Sequence, residues 1–362
     1  MNQEPAIYGN GRERLFEQSF HAPLDPAWEH WKYSILGGLH HAIYNDQGEM
    51  LAHYAGFPRQ MIGLCQHRFD AKTNGEGVMS DICEFEVLQI GDVMVHPAYQ
   101  GVLKRRGMFF EVTRQFVEEF VGAFEPKHSR KFRWIYGFPN ERHLRIGEHH
   151  GLYAPIASMH ELVWPTSVES NPTLSHKLPL TVVKLDTTFF ENYAQAFDVW
   201  SSKLLREMVH AQGVCIGRKH ANWWLHRYLA WPSYEVYGFF SNDLGCDDQL
   251  VGTQSGWLKG LAAIRRHREP EGIATELLDC LAEHNAWSVI LETLIRQARI
   301  DGSKELRCWA SAMAAKHLKQ VELVGSPSCR VEKLPFSLAS GAWASQALKA
   351  SLWVTGGDTD FR

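Results

Sequence analysis

The stretch Asp92 to Val112, DVMVHPAYQGVLKRRGMFFEV, joins an apolar run typical of a buried strand to an apolar run with helical spacing. Between the two lie Pro97, three consecutive cations at 104–106 and Gly107. A helix N-terminus has unpaired backbone N–H groups and the positive end of the helix dipole, and glycine lets an anion approach the backbone closely. The stretch is therefore a candidate diphosphate pocket. Taken alone, the three cations are more typical of a solvated turn.

Length, charge and cysteine pattern limit the number of domains, the partners and the cellular location that we expect. The chain has 362 residues, 45% of them hydrophobic, which is enough to bury the cores of about two domains. A formal net charge of -4 provides no overall basic field, so we expect neither nucleic acid nor a membrane as a partner. The sequence has no signal-peptide pattern, no long apolar run and no CxxC pair, so we expect reduced cysteines and a cytoplasmic location. Homo-oligomer formation stays open.

The sequence contains a faint internal repeat with a period of about half the chain. The ungapped alignment matches four pairs of residues: Trp28 with Trp223, Lys32 with Arg227, Tyr33 with Tyr228, and Tyr44 with Phe239. A repeat of this length indicates duplicated domains rather than a solenoid. A segment rich in Pro, Ser, Thr and Asn near residue 170 marks the seam. We therefore predict domains at 1–165 and 181–362, joined by a linker at 166–180.

Hydrophobic periodicity predicts the same order of elements in both halves. In the first half, the predicted strands are Leu39–Tyr44, Met50–Gly56, Ile82–Val95 and Arg133–Phe138, and the predicted helices are Gly107–Val121 and Asn140–His150. In the second half, the predicted strands are Glu276–Leu281 and Glu305–Ala310, and the predicted helices are Val289–Ile300 and Ser311–Gln320. The charged stretch Ala263–Gly272 is expected to be a surface loop, and the last ten residues a solvated tail.

Two short motifs in the first half carry a family resemblance. Val95, Pro97, Tyr99 and Gln100 end the long strand, and Asn140 is followed eleven positions later by Gly151. With these motifs the sequence resembles the GNAT superfamily of acetyl-CoA-dependent N-acyltransferases. The phrase GFPN is also similar to tandem members related to the enhanced-intracellular-survival acetyltransferases and the mycothiol synthases. The resemblance covers Trp31 to Tyr153 well and the second half only by the order of its elements.

The resemblance implies an α/β fold of two tandem GNAT-like domains, each a mixed, mostly antiparallel sheet flanked by helices. The first domain would bind acetyl-CoA as co-substrate, and the second would be degenerate because the connection AEHNAWS, which precedes its corresponding helix, has no glycine or cation. The loop after Gln100 is longer than the family pattern, so the residues from Arg106 to Phe109 would form the phosphate-binding turn. The cofactor-binding residues implied in this way are Met94, Val95, Gln100, Gly101, Arg105, Arg106, Gly107, Met108, Phe109 and Asn140.

The resemblance also implies which catalytic groups the site needs. Amide transfer needs an unprotonated amine, a polarised thioester carbonyl and a proton donor for the sulfur. Asp92, on the strand that leads to the loop, is the candidate base; the alternative is a structural aspartate that accepts backbone hydrogen bonds. The tyrosine that many family members use as general acid, seven positions after the asparagine, is Gly147 here. We expect no metal site, because the adjacent His149 and His150 cannot easily share one ion.

The favoured function is transfer of an acetyl group from acetyl-CoA to an amine of a small-molecule acceptor. One alternative within the same fold is transfer of a longer acyl group or an aminoacyl group. Another, which the missing tyrosine favours, is a non-catalytic CoA-binding or interaction protein. Binding of acetyl-CoA and release of thiol in the presence of an amine discriminate among these functions.

Overall fold

The computed structural model has a mixed α/β fold in which helices flank a long path of strands. It describes residues 7–64, 81–99, 107–120, 132, 134–167, 180–241, 258–270, 272–321, 323, 327–330, 335–339 and 351–358. The elements of the first half are α1 (Ile7–Phe20), α2 (Pro26–Glu29), β1 (Leu39–Tyr44), β2 (Met50–Leu64), β3 (Ile82–Val95), α3 (Met108–Phe120), β4 (Ile135–Gly137), α4 (Glu141–His149) and β5 (Ala154–Pro165). Those of the second half are β6 (Leu180–Leu185), α5 (Thr187–Gln212), β7 (Cys215–Gly217), α6 (Ala221–Trp224), β8 (Tyr234–Ser241), β9 (Leu258–Glu269), β10 (Gly272–Ala282), α7 (Trp287–Ile300), β11 (Ser303–Ser311), α8 (Ala312–Gln320), β12 (Ser328–Arg330), β13 (Pro335–Ala339) and β14 (Leu352–Trp353).

The strands pair in the order β14-β7-β2-β3-β4-β13-β5-β11-β10-β9-β8-β6, with β1 added to β2 and β12 to β5. Among the described strands, the parallel pairs are β3–β4, β10–β11 and β7–β14, and the other pairs are antiparallel. This arrangement confirms the prediction of a mixed, mostly antiparallel sheet. Strands also pair between the halves, because β13 lies between β4 and β5, and β7 pairs with β2. The domain boundaries stay a prediction.

The helices on either side of β4 form where the sequence predicts them. The apolar side chains of α3 recur at helical spacing and are buried; they are Phe109, Val112, Phe116 and Val117. The Asn140 side chain accepts a hydrogen bond from the backbone N–H of His143 at 2.9 Å and so caps the start of α4. Gly151 follows α4 with φ of +67°, a conformation that glycine adopts without steric cost. Local sequence thus determines where both helices lie along the chain.

The internal repeat is visible in the backbone of the two halves. The helices α2 and α6 each continue into a π-helical turn, His30–Ile35 and Leu225–Leu229. Each helix starts with a side-chain cap at the corresponding position, Asp25 in the first half and His220 in the second. Each π-helical turn is followed by an antiparallel strand, β1 or β8, and the aligned residues Tyr44 and Phe239 lie in these two strands.

The prediction of a surface loop at Ala263–Gly272 is wrong. Most of this stretch lies in β9, between β8 and β10. Two of its arginines are paired with carboxylates outside the stretch: Arg265 contacts Glu276 at 2.5 Å and Arg266 contacts Asp301 at 2.6 Å. Local charge density predicts a loop, whereas the counter-charges come from residues that are distant in sequence.

The expectation of a solvated tail is also wrong for residues 353–358, because all six are buried. They pack against strands of both halves, a contact that sequence periodicity cannot show.

Of the seven cysteines, Cys215, Cys280, Cys308 and Cys329 are free, as expected, but Cys83 is disulfide-bonded. No described helix has the length and apolar character needed to cross a membrane.

Candidate functional site

The candidate site is the opening between β3 and β4. These strands pair in parallel only as far as Ile90 and Gly137. Beyond that point β3 continues along β2 to Val95, whereas the chain after Gly137 turns away to start α4 at Asn140. The strands therefore diverge, and a cavity of about 590 Å³ occupies the gap. Such a volume suits a small-molecule ligand.

The cavity has two walls formed by strand ends, and aromatic side chains line much of the remaining surface. One wall is formed by 91–93 of β3 and the other by Phe138, Pro139 and Asn140. The other lining residues come from the N-terminal helices, from β2, β3 and β4, and from α4 and the segment after it; they include Phe16, Phe20, Trp28, Lys32, Tyr54, His143 and Tyr153. The surface is largely apolar with a few polar groups, a composition typical of ligand pockets.

A β-bulge shapes the β3 wall. The residues Asp92 and Val93 together lie opposite Tyr54, because Ala55 pairs with Gly91 and His53 with Met94. Asp92 has φ of +50°, a left-handed conformation that is uncommon for a residue other than glycine. His53 Nδ1 donates a 2.9 Å hydrogen bond to the Asp92 backbone oxygen and so supports this conformation. The bulge bends the strand beside the cavity.

The Asp92 side chain is already paired within the protein. Lys32 Nζ lies 2.7 Å from Asp92 Oδ1, and the Tyr33 hydroxyl donates to Oδ2 at 3.2 Å. The Lys32 ammonium also lies 4.7 Å from the Trp28 ring centroid and 5.1 Å from that of Phe57. Asp92 thus lines the cavity as part of a buried ion pair, and sequence reasoning missed Lys32. The repeat alignment, which matches Lys32 with a second cation, was the available signal.

The second half has a similar tyrosine–aspartate pair. Its β10 strand also has a bulge, between Leu277 and Asp279, and the Tyr228 hydroxyl donates to Asp279 Oδ2 at 2.9 Å. Tyr228 is the residue that the repeat alignment matches with Tyr33. A pair present at both bulges favours a structural contribution of Asp92 to the bulge. Its role as a base stays a prediction.

Tyr153 is a site residue that the sequence analysis did not select. A Cβ atom at Gly147 would lie 2.1 Å from the Tyr153 ring, so this ring fills the space that a side chain at 147 would need. The Tyr153 and Tyr54 hydroxyl oxygens are 3.0 Å apart. Burial raises the pKa of both phenols, so both are protonated at neutral pH. Tyr153 thus lines the cavity, and its ring lies against position 147, where many members of the GNAT superfamily have a tyrosine.

The predicted phosphate-binding residues are only partly described. Gln100, Gly101, Arg105 and Arg106 lie outside the described residues. Gly107, Met108 and Phe109 are at the start of α3. The Phe109 ring stacks on His143 with centroids 5.6 Å apart, which places the start of α3 against α4 beside the cavity. Their contact with a cofactor stays a prediction.

The other predicted cofactor residues lie on the two walls or next to them. Asn140 lines the cavity while its side chain caps α4. Met94 and Val95 follow the bulge, and their side chains pack into separate buried clusters. Only their backbone is available for the predicted alignment of the acyl group. Burial lowers the pKa of the nearby His143, which favours its neutral form.

No described group of three or more His, Cys, Asp or Glu side chains is placed to hold a metal ion.

Comparisons with known proteins relate this geometry to one fold. No family model matches the sequence, and no curated protein matches it significantly. Among solved structures, a GCN5-related N-acetyltransferase from Anabaena variabilis aligns over 93% of this chain and 71% of its own, with a TM-score of 0.60 and 13% identity. A probable N-acyltransferase from Enterococcus faecalis covers 91% of this chain and 69% of its own (TM-score 0.57, 13% identity). A GCN5-related N-acetyltransferase from Kribbella flavida covers 91% and 68% (TM-score 0.56, 12% identity). The chain therefore has the GNAT fold that its sequence motifs predict.

Proposed function

We propose that the protein is an N-acyltransferase that moves an acetyl group from acetyl-CoA to an amine of a small molecule. The observation that carries the proposal is the cavity between the diverging ends of β3 and β4. An opening with strand backbone on both sides suits an extended thioester arm that carries amide groups. The likeness of the fold to N-acyltransferases supports the same conclusion.

Tyr153 is the proposed proton donor to the departing thiolate. The sulfur leaves as an anion unless it receives a proton, and a neutral phenol in the cavity supplies one. The raised pKa keeps Tyr153 protonated, and its hydrogen bond to the Tyr54 hydroxyl fixes its position. The phenol therefore fills the role that a tyrosine at position 147 would have in other family members.

Asp92 is the proposed acceptor for the substrate amine. An amine is protonated at neutral pH, and the carboxylate both attracts the ammonium group and accepts its proton before attack. Each carboxylate oxygen can accept more than one hydrogen bond, so the contacts with Lys32 and Tyr33 leave capacity for a ligand. This assignment competes with the structural role that the second half favours.

The diphosphate of the cofactor is proposed to bind at the start of α3. Backbone N–H groups from Gly107 onward and the positive end of the helix dipole favour an anion there. Arg105 and Arg106 would add positive charge. This end of the pocket lies next to the cavity through the contact of Phe109 with His143.

The test combines cofactor binding with turnover. Acetyl-CoA should raise the melting temperature of the protein, and free thiol should appear when a panel of small amines is added. Tyr153→Phe should lower thiol release by about 10²-fold or more without loss of acetyl-CoA binding. Tyr136→Phe is the matched control, because its buried hydroxyl binds Gln89 and does not line the cavity.

Each outcome decides between functions. No thermal response to acetyl-CoA would exclude that donor and leave a longer acyl or aminoacyl donor to be tested in the same assay. Binding without thiol release across the panel would support a non-catalytic CoA-binding protein. Equal rates for the wild type and Tyr153→Phe would exclude Tyr153 as the proton donor.

A further inference from the structure

The second half has an opening that corresponds to the candidate site. The strands β10 and β11 pair in parallel as far as Leu277 and Cys308 and then separate, as β3 and β4 do. Counting from these last pairs places Leu278 and Asp279 where the first half has Gly91 and Asp92. The same count places Ser311, the residue before α8, where the first half has Asn140 before α4.

This second opening is occupied by the chain itself. On the β11 side, the 351–358 segment binds the strand end as an added strand would. Thr355 forms an antiparallel bridge with Ala310, and the Ser311 backbone N–H donates to the Val354 oxygen at 2.9 Å. The Ser311 hydroxyl also donates to the Leu352 oxygen at 2.7 Å. The segment is thus bound through backbone groups.

On the β10 side, the same segment lies against the bulge. The Thr355 hydroxyl is 3.5 Å from Asp279 Oδ1. A Cβ atom at Gly357 would lie 1.9 Å from the Tyr228 hydroxyl and 3.0 Å from the Leu278 backbone oxygen. Only glycine fits at this point. The segment therefore passes between the two strand ends, in the place that corresponds to the cavity of the first half.

Buried charges hold the end of the segment. Lys219 Nζ lies 2.6 Å from Asp358 Oδ1 and 2.7 Å from Asp279 Oδ2, so one ammonium joins the segment to the bulge. Arg59, on β2 of the first half, lies 2.8 Å from Asp358 Oδ1. Arg227 Nε donates to the Gly357 backbone oxygen at 2.9 Å. All these side chains are buried, which makes the contacts specific to one position of the segment.

We propose that the second half has a peptide-binding cleft whose ligand is the 351–358 segment, bound in place of a cofactor. The cleft recognises an extended backbone, a glycine at the tyrosine–aspartate pair and, at Lys219, the side-chain carboxylate of Asp358. Its corresponding helix, α7, has no side-chain cap, and the connection before it contains no glycine or cation. The cleft therefore lacks the phosphate-binding features of the first half. This inference does not depend on acyl transfer.

The test uses two glycines of the segment that differ in the space around them. A Cβ at Gly356 would make only ordinary contacts of 3.5–3.7 Å, whereas a Cβ at Gly357 meets the Tyr228 hydroxyl. Gly357→Ala in the full-length chain should displace the segment and increase hydrogen exchange of amides 352–358 by about tenfold or more. Gly356→Ala should keep the protection of the wild type.

A labelled synthetic peptide with the sequence of residues 351–358, SLWVTGGD, then probes the vacated cleft. It should bind Gly357→Ala at one peptide per chain, and neither the wild type nor Gly356→Ala should bind it. A peptide that carries the Gly357→Ala change itself should not bind. Absence of peptide binding to the Gly357→Ala chain, or equal binding to all three chains, would overturn the proposal.

If Gly357→Ala does not fold, Asp358→Asn serves in the same two measurements. This change keeps the size of the side chain and removes the charge that Lys219 and Arg59 bind. The expected result is again increased exchange of the segment and binding of the wild-type peptide. Unchanged exchange would show that the carboxylate does not hold the segment and would contradict the proposed recognition. In each variant, the rise in melting temperature on addition of acetyl-CoA is measured as well. An unchanged rise would show that the candidate site between β3 and β4 is not affected.

Discussion

Gly147→Ala should displace Tyr153 and thereby reduce both stability and activity. Alanine in a helix interior normally stabilises by about 0.5–1 kcal/mol relative to glycine. Here the added Cβ would lie 2.1 Å from the Tyr153 ring, far inside normal contact distance. Overpacking of this kind costs about 1–3 kcal/mol. Loss of the hydrogen bond with Tyr54 adds about 1 kcal/mol. We therefore expect a net destabilisation of about 1–3 kcal/mol.

The assay is urea unfolding of the wild type, Gly147→Ala, Tyr153→Ala and the double variant. In the Tyr153→Ala background the ring is absent, so Gly147→Ala should be neutral or stabilising there. Thiol release with acetyl-CoA and an amine should fall in Gly147→Ala, because the phenol no longer occupies its position. An effect on stability of the same sign and size in both backgrounds would refute the reasoning.

Three further changes test ionisable side chains inside the protein. Asp92→Asn should slow thiol release with little change in acetyl-CoA affinity, and a rate equal to that of the wild type would exclude Asp92 as the base. Lys219→Met should cost about 3–5 kcal/mol in urea unfolding, because it leaves the carboxylates of Asp279 and Asp358 without their shared ammonium; a cost below about 1 kcal/mol would contradict this. Desolvation lowers the pKa of His53 from 6.5 to about 3, so between these values the unfolded chain binds a proton that the folded chain does not. Stability should therefore fall by about 1.4 kcal/mol for each pH unit below 6.5. His53→Gln should lose less stability than the wild type between pH 7 and 4.5, and equal losses would contradict the assignment.

Several elements could be predicted because their causes are local. The strand Ile82–Val95 and the helix that follows Gly107 are each specified by apolar residues at the period of one element. The cap of Asn140 depends on residues within one helical turn. The repeat could be recognised because aromatic residues at matched positions form the same helix and π-helical turn twice.

The candidate site was less predictable because its residues come from distant parts of the chain. Lys32 and Asp92 are sixty positions apart, and the bulge that brings them together forms only when β2 pairs with β3. Tyr153 could not be selected without seeing that its ring covers Gly147. For the same reason, Asp92 was predicted as a base without its partner.

The sequence by itself determined the strands and helices around the candidate site, because short-range periodicity and capping specify them. It also revealed the repeat, because the matched residues can be compared directly in the sequence. Only the tertiary structure decided which openings are available. The two halves have similar diverging strands, yet one opening contains a cavity and the other contains residues 351–358. Which opening is filled depends on contacts between distant residues, such as that of Arg59 with Asp358. Because these residues are far apart in sequence, no local sequence pattern predicts the contact.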